Sequence, residues 1–383
     1  MKKKTLSFRA RALSLLLCCA LLLSISTLYA SGTGSAYSPH NISARSAVLI
    51  DSNGAVLAEK NAHERMGEAS TTKIMTALVI AQTMPLDTPV TIPAEAVGVE
   101  GSSVYLCAGE ILTVKELLLA LLLESANDAA AALAIASSGS VDAFAEKMND
   151  RARALGLENT NFKNPHGLYD EEHYTTAYDL AKISAEALKL PALCEIFATK
   201  KAQIPSGVTK DMPNGEGKRY LHNHNKMLSL YEGAIGVKTG FTKKTGRCLV
   251  SAAERDGLTL IAVTLNAPDD WRDHTVMLDY GFSAYERVTL LSAGELCYGY
   301  AVSGGESEQV IVTNSEPIIL TLPRDRGQAK TLVCCPQRFE VAPINKGDEL
   351  GYVTVSCNGL SASSPLVASE SVERSKSKFR LFT

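Results

Sequence analysis

Residues 47–58 have the sequence Ala-Val-Leu-Ile-Asp-Ser-Asn-Gly-Ala-Val-Leu-Ala. Two apolar runs on either side of Asn53-Gly54 predict a β-hairpin, because Asn-Gly suits the tight turn that joins two antiparallel strands. Apolar residues then recur at helical spacing from Ser70 to Thr83 and from Thr113 to Leu155, and short β-rich runs return between Ile235 and Leu265. This order predicts an α+β domain, in which an antiparallel sheet with flanking helices carries a helical insertion.

The length of 383 residues exceeds a single comfortable hydrophobic core and favours two domains. A helix is predicted over 271–285, and the sequence after it is β-like with frequent turn signals, which indicates a small all-β C-terminal domain. We expect four parts: a signal peptide at 1–30, a main domain at 41–285, the β-rich domain at 286–370 and a basic tail at 371–383.

The N-terminus has the pattern of a secretory signal peptide. Five basic residues among the first eleven precede an apolar run from Ala12 to Leu23, and small residues follow it. That run is about a dozen residues long, short of the roughly 20 that a spanning helix needs. We expect cleavage after Ala30 or Ala36, and hence an exported protein at the cell wall or the outer face of the cytoplasmic membrane.

Charge and cysteine content exclude several classes of function. The formal net charge is -3, and because the first thirty residues contribute +5, the remainder carries -8. An acidic chain of this kind is not expected to bind nucleic acid. The cysteines beyond the signal peptide follow no repeating spacing, and no third ligand accompanies His166 and His173 or His222 and His224, so we expect neither a disulfide framework, a metal nor a cofactor.

The chemistry begins with Ser70-Thr71-Thr72-Lys73. Spacing of three places the serine hydroxyl and the lysine amine one helical turn apart on one face, and a base beside a hydroxyl makes a nucleophile. The pattern alone is weak, because Ser375-Lys376-Ser377-Lys378 also satisfies it in the tail. In isolation Ser70 could equally be an N-capping serine beside a solvated Lys73.

Two further triplets supply the context. Ser125-Ala126-Asn127 falls in a break between helical segments, and Lys238-Thr239-Gly240 ends a short strand whose edge a substrate could approach. Each triplet has a second copy, Ser356-Cys357-Asn358 in the β-rich domain and Lys244-Thr245-Gly246 in a turn. We favour the first copy of each on these grounds.

The three elements in this order resemble the serine penicillin-binding proteins and β-lactamases. The resemblance extends from about residue 45 to 285 and is nearest to the D-alanyl-D-alanine carboxypeptidase branch, through these motifs: Asn164-Pro165-His166-Gly167-Leu168, His173-Tyr174-Thr175-Thr176-Ala177 with Asp179, and Asn223-His224-Asn225-Lys226. It implies a penicillin-sensitive enzyme that trims the terminal D-Ala from peptidoglycan stem pentapeptides, with β-lactams as covalent inhibitors.

The resemblance also implies the role of each residue. Ser70 attacks the peptide carbonyl and forms an acyl-enzyme, Lys73 is its base and Ser125 relays the proton to the leaving amine. Lys73 must spend time neutral, and burial with a second cation such as Lys238 would lower its pKa. The substrate-binding residues are Asn127 for the substrate amide, Lys238 and Thr239 for the terminal carboxylate, Gly240 for close approach, and Phe241, whose N–H completes an oxyanion hole with that of Ser70.

The sequence leaves two other functions open, and it also predicts a weak contact with a membrane. A β-lactamase would need a glutamate to drive water, and Glu171 and Glu172 are available in an acidic turn. A non-catalytic wall-binding or antibiotic-sensing protein would use the fold without turnover. The four basic residues from Arg374 to Arg380 predict at most weak contact of the tail with a membrane surface.

Overall fold

A computed structural model describes residues 41–376 apart from 211, 213, 214, 216 and 336. The predicted signal peptide at 1–30 and the tail residues 377–383 lie outside the described residues. Within the described part, no helix combines the length and the apolar character needed to cross a bilayer. The strands and helices follow one another as β1 Ser46–Asp51, β2 Val56–Lys60, α1 Lys73–Thr83, β3 Pro89–Thr91, β4 Ile111–Thr113, α2 Val114–Leu123, α3 Asn127–Ser138, α4 Val141–Ala154, α5 Ala177–Ala187, α6 Pro191–Ala198, β5 Lys201–Ser206, β6 Gly217–His222, α7 Met227–Leu230, β7 Ala234–Thr242, β8 Gly246–Arg255, β9 Leu258–Leu265, α8 Asp270–Ala284, β10 Tyr285–Leu291, β11 Cys297–Ser303, β12 Gln309–Asn314, β13 Ile318–Pro323, β14 Lys330–Cys334, β15 Glu340–Val341, β16 Glu349–Cys357 and β17 Leu360–Ala368.

The main domain is built on a five-stranded antiparallel sheet in the order β2-β1-β9-β8-β7. The predicted hairpin is β1 and β2, and β1 also pairs along its length with β9, more than 200 residues later in the chain. The strands before and after the helical insertion therefore form one sheet, which confirms the predicted fold class. Strand β7, which carries Lys238-Thr239-Gly240, lies at the edge of this sheet.

The helical insertion packs against one face of the sheet around α1. Every residue of α1 from Lys73 to Ile80 is buried, which is the pattern of a helix at the centre of a core. Helix α2 begins at Thr113 with a capping box, in which the threonine hydroxyl accepts from the Glu116 N–H and the glutamate accepts from the Thr113 N–H. A helix buried on all sides, as α1 is, can hold a functional side chain at its first turn.

The C-terminal part is all β, as the sequence predicts. Strands β10 and β13 pair with each other, and a second sheet has the order β14-β16-β17-β12-β11-β15. Its core is formed by small and medium apolar side chains, which include Val310, Val312, Val353 and Val355. The alternation of buried and exposed residues along β12 places one face of the sheet against this core.

A buried carboxylate links the five-stranded sheet to the β10–β13 pair. One oxygen of Asp51 accepts from the N–H groups of Asn53 and Ala55 at 2.9 and 2.8 Å and so fixes the β1–β2 turn. The other oxygen accepts from the hydroxyl of Thr321, on β13, at 2.6 Å. A single aspartate thus organises the hairpin and connects it to the C-terminal part.

We expect Thr321→Val to lower the free energy of unfolding by about 1.5 to 3 kcal/mol, because it leaves a buried carboxylate oxygen without its donor. Urea unfolding followed by circular dichroism measures this. The control is Thr354→Val, which removes a threonine hydroxyl bonded to Ser363 at an exposed position and should change stability by less than about 0.5 kcal/mol. Equal small losses in both variants would contradict the role given to Asp51.

Candidate active site

Ser70 lies in a tight turn that leads directly into α1. Residues Ala69–Thr72 form one turn of 3-10 helix, and Lys73 is the first residue of the α-helix. The backbone of Ala69 has a φ of +49°, a left-handed conformation that is costly for a residue with a Cβ atom. Such a cost is typically found where the surrounding structure imposes a functional geometry.

The Lys73 amine is fully buried and contacts three oxygen acceptors. Its Nζ lies 2.9 Å from Ser70 Oγ, 2.7 Å from Asn127 Oδ1 and 2.7 Å from the carbonyl oxygen of His166. As an ammonium it can donate to all three. As a neutral amine it can keep two of these donations and turn its lone pair toward the Ser70 hydroxyl.

The electrostatics favour the neutral form of this amine. Burial is the largest effect on the pKa of Lys73 and lowers it well below its usual value, and the charge of Lys238 lowers it further. Asp128 acts in the opposite direction. The side chain is therefore suited to take a proton from Ser70, since a general base works best when its pKa is near the working pH.

The second triplet brings its polar groups to the same place. Ser125 has a φ of +60° and lines the cleft in front of Ser70. Asn127 opens α3, and its backbone N–H donates to the carbonyl of Ser102 at 2.7 Å. Because its Oδ1 accepts from Lys73 and its Nδ2 donates to the Glu100 carbonyl at 2.5 Å, Asn127 holds the Lys73 amine and uses one of its two Nδ2 hydrogens.

The third triplet brings β7 close to the turn that contains Ser70. A Cβ atom at Gly240 would lie 2.9 Å from the Glu68 carbonyl oxygen and 3.1 Å from the Ser70 nitrogen, so only glycine permits this approach. Lys238 is buried, its Nζ donates to the Thr239 carbonyl at 2.9 Å, and burial lowers its pKa to about 7.

These elements enclose a cleft of about 360 Å³. Of the predicted site residues, Ser70, Ser125, Thr239, Gly240 and Phe241 line it, and the remaining members of its wall are Ser102, His224, Lys226, Arg247, Asp270 and Trp271. The other three predicted residues, Lys73, Asn127 and Lys238, are buried behind this surface. The arrangement presents a hydroxyl nucleophile with a buried base and a cationic strand edge, which suits acyl transfer from a substrate that ends in a carboxylate.

Comparison with known proteins agrees with this geometry. Residues 33–269 match the family model described as D-alanyl-D-alanine carboxypeptidase, and residues 285–374 match that of the penicillin-binding protein 5 C-terminal domain. The chain belongs to the D-alanyl-D-alanine carboxypeptidase family. It is 36% identical to the D-alanyl-D-alanine carboxypeptidase DacF of Bacillus subtilis, over 86% of each chain.

Solved structures of this family have the same fold. Penicillin-binding protein 5 from Haemophilus influenzae superimposes with a TM-score of 0.73 at 29% identity, over 88% of this chain and 100% of that one. The Streptomyces K15 DD-transpeptidase superimposes with a TM-score of 0.60 at 35% identity, over 65% of this chain and 99% of that one. The likeness to penicillin-binding protein 5 therefore includes the C-terminal part, and the shorter enzyme matches a smaller share of the chain.

The competing copies of the motifs lie elsewhere in this carboxypeptidase-family chain. Lys244 is in the β7–β8 turn, where its Nζ lies 3.6 Å from the centre of the Tyr169 ring. Ser356 is on β16 of the C-terminal part. Glu171 and Glu172 are exposed and do not line the cleft. None of these residues joins the arrangement around Ser70.

Sequence reasoning named the Asn164–Leu168 motif without finding its role. The His166 carbonyl holds Lys73, and Gly167, with a φ of +85°, packs against the strained Ala69. A Cβ atom at Gly167 would lie 1.9 Å from the Ala69 carbonyl oxygen. Burial lowers the pKa of the His166 imidazole to about 3, so this side chain is neutral and leaves the charge at the site to the lysines.

A buried network beneath the nucleophile turn also escaped prediction. His173 Nδ1 accepts from the Lys163 N–H at 3.1 Å, so its Nε2 carries the proton and donates to Glu68 Oε1 at 2.9 Å. The Thr72 hydroxyl lies 2.8 Å from the Ala69 carbonyl oxygen and 3.1 Å from Glu68 Oε1. His173 therefore supports the turn, and within the described ranges no group of residues is arranged to hold a metal ion.

We expect Gly167→Ala to slow acylation of Ser70 by about 100-fold, because the added methyl group displaces the Ala69 carbonyl and misplaces the nucleophile. The rate of labelling by a fluorescent penicillin measures this. The control is Gly156→Ala, which has a similar φ of +68° but no atom within 4 Å of the added Cβ. It should reduce stability through backbone strain alone, and equal labelling rates in the two variants would contradict the bracing role.

Proposed function

We propose that this protein is a penicillin-sensitive serine D-alanyl-D-alanine carboxypeptidase that removes the terminal D-Ala from peptidoglycan stem pentapeptides. The observation that carries the proposal is the buried Lys73 amine with its lowered pKa, 2.9 Å from the Ser70 hydroxyl in an open cleft. Family membership supports the reaction, and this contact supports Ser70 as the nucleophile.

The proposed acylation uses several side chains and backbone groups in turn. Neutral Lys73 accepts the Ser70 Oγ proton while Oγ forms a bond to the carbonyl carbon of the penultimate D-Ala. The resulting oxyanion is held by the N–H groups of Ser70 and Phe241. The intermediate collapses as the C–N bond breaks, and Ser125 relays the proton from Lys73 to the amine of the departing D-Ala, which leaves Lys73 neutral again. Water then attacks the ester, with Lys73 again as base, and restores Ser70.

Recognition of the chain end is assigned to β7. A carboxypeptidase must distinguish the final residue from an internal one, and the free carboxylate is the feature that an internal residue lacks. Lys238 and Thr239 provide a cation and a hydroxyl beside the nucleophile for this carboxylate. The remaining Nδ2 hydrogen of Asn127 would hold a substrate carbonyl upstream.

The two rival functions have less support. A β-lactamase that uses a glutamate to activate water would need this side chain in the cleft, and Glu171 and Glu172 are exposed outside it. A non-catalytic sensor would not need a base, whereas here Lys73 is held by three acceptors in a position to accept the serine proton.

We also propose that the protein is exported and that it has two domains. The pattern at 1–30 supports secretion, and the family's substrate lies outside the cytoplasm. The division at 41–285 and 286–370 follows the change from the mixed domain to the all-β part. The four basic residues of the tail support weak and reversible contact with anionic lipid.

Penicillin should form a covalent adduct on Ser70, because its strained carbonyl and nearby carboxylate imitate the peptide end. Mass spectrometry of a proteolytic digest should place the added mass on the peptide that contains Ser70. Ser70→Ala should abolish the adduct, and Ser375→Ala should leave it unchanged. An adduct that persists in Ser70→Ala would reject the assignment of the nucleophile.

We expect Lys73→Ala to slow acylation by about 10²- to 10⁴-fold, the usual cost of losing a general base. Stopped-flow measurement with a chromogenic β-lactam gives the rate. Lys244→Ala is the matched control and should acylate like the wild type. Acylation within about threefold of wild type in Lys73→Ala, well inside that range, would require another base.

The preference for a free terminal carboxylate should depend on pH. The pKa of Lys238 is lowered to about 7, so its charge is present below that pH and is lost as the pH rises through it. Amidation of the terminal D-Ala should therefore reduce kcat/KM by about one to two orders of magnitude at pH 6 and by less at pH 8.5. D-Ala release from paired peptides measures this ratio.

Two variants test which lysine is responsible. Lys238→Gln should show a small ratio at both pH values, because its cation is already absent. Lys244→Gln should reproduce the wild-type profile. The reverse result would assign carboxylate recognition to the β7–β8 turn instead of the strand.

A further inference from the structure

Tyr105 has a strained backbone conformation that the surrounding structure must stabilise. Among the described residues, seven other than glycine have a clearly positive φ, and four of these are Asn or Asp, which tolerate it. Of the remaining three, Ala69 and Ser125 belong to the catalytic arrangement. The third is Tyr105, with a φ of +57° and a side chain that is 83% exposed.

Two charged side chains hold this loop in place. Asp128, next to Asn127, accepts from the N–H groups of Val104 and Leu106 and from the Ser103 hydroxyl at 3.3, 3.0 and 2.6 Å. Arg219 donates to the carbonyl oxygens of Val104 and Tyr105 at 2.7 and 3.0 Å. The backbone is thus fixed from both sides.

The Arg219 brace is itself anchored. Its guanidinium also donates to both oxygens of the buried Glu110 carboxylate, at 2.6 and 2.9 Å. An ion pair with two parallel hydrogen bonds has a well-defined geometry. The loop therefore presents an exposed aromatic ring on a fixed backbone, and burial of this ring does not compensate for the backbone strain.

The Tyr105 backbone lies close to one wall of the cleft. Ser102 lines the cleft, and three residues span at most about 10 Å from it to Tyr105. If the terminal carboxylate binds at Lys238 and Thr239 and the scissile carbonyl at the Phe241 N–H, the peptide continues upstream past Phe241 and Ser102. Phe241, on the β7 wall, is also exposed, at 63%.

We propose that Tyr105, together with Phe241, forms a subsite for the long aliphatic side chain of the stem-peptide residue that precedes D-Ala-D-Ala. This inference rests on the proposed function. Diamino acids at that position carry several methylene groups, and aromatic rings bury such groups at a low cost in side-chain entropy.

Two peptides test the subsite directly. One is Nα,Nε-diacetyl-L-lysyl-D-Ala-D-Ala, and the other, acetyl-L-alanyl-D-Ala-D-Ala, lacks the long side chain. Wild-type kcat/KM for D-Ala release should favour the lysyl peptide by about tenfold, which corresponds to burial of one or two methylene groups. Tyr105→Ala should bring this ratio close to one, and Tyr105→Phe, which keeps the ring, should restore it.

Tyr220 provides the matched control. It is a tyrosine of similar exposure, 69%, on strand β6, where its backbone is extended. Tyr220→Ala should keep the wild-type ratio. A loss in Tyr220→Ala equal to that in Tyr105→Ala would overturn the assignment to one ring.

Stability separates a binding role from a structural one. Tyr105→Gly removes both the ring and the strain at a positive φ, whereas Tyr105→Ala removes the ring and keeps the strain. We expect both variants to lose the peptide preference and the Tm of Tyr105→Gly to be at least that of the wild type. A Tm lowered in both variants, with the preference unchanged, would assign Tyr105 a structural role and overturn the proposal.

The wild-type measurement distinguishes the two levels of inference. Equal release of D-Ala from both peptides would overturn the subsite and leave the carboxypeptidase function standing. No release from either peptide by folded protein would overturn the proposed function and the subsite with it. A preference that appears only when a disaccharide is attached would assign the ring to the glycan and overturn the peptide subsite.

Discussion

The burial of two lysine side chains behind one cleft is the constraint on which the rest of the site depends. Removing each charge from water costs several kcal/mol, and the two cations also repel each other. For Lys73, three oxygen acceptors and a lowered pKa reduce this cost. For Lys238, one carbonyl acceptor and a lowered pKa do so. The energy of folding thus maintains a lysine amine with a lowered pKa within hydrogen-bond distance of the Ser70 hydroxyl, as the proposed role of Ser70 as nucleophile requires.

Close packing of backbone around residues 68–70 keeps these groups in register. Gly240 approaches the nucleophile turn from the sheet, and Gly167 approaches it from the helical side. Neither position has room for a Cβ atom. The strained Ala69 is therefore confined between two backbones, and its conformation is a property of the tertiary structure and not of the local sequence.

Much of this could be predicted from the sequence, and the failures have a physical reason. The 47–58 hairpin, the helices and the three motif triplets depend on local periodicity and turn chemistry, which a single sequence displays. The contacts of Gly167 with Ala69 and of Arg219 with the Tyr105 loop join residues about one hundred positions apart. No spacing rule encodes such contacts, so the bracing of the turn and the exposed ring became visible only in three dimensions.

Strand β7 is an unfinished edge, and this has a consequence for association between molecules. An edge strand offers unpaired N–H and carbonyl groups to any other strand, including that of a second copy. A β-bulge in such a strand is a known defence, because it twists the edge away from a flat partner. The register of β7 against β8 shifts between Ala234 and Gly236, which interrupts the flat ladder. The strand assigned to the end of the substrate can therefore stay open to a short peptide and still be a poor template for a second sheet.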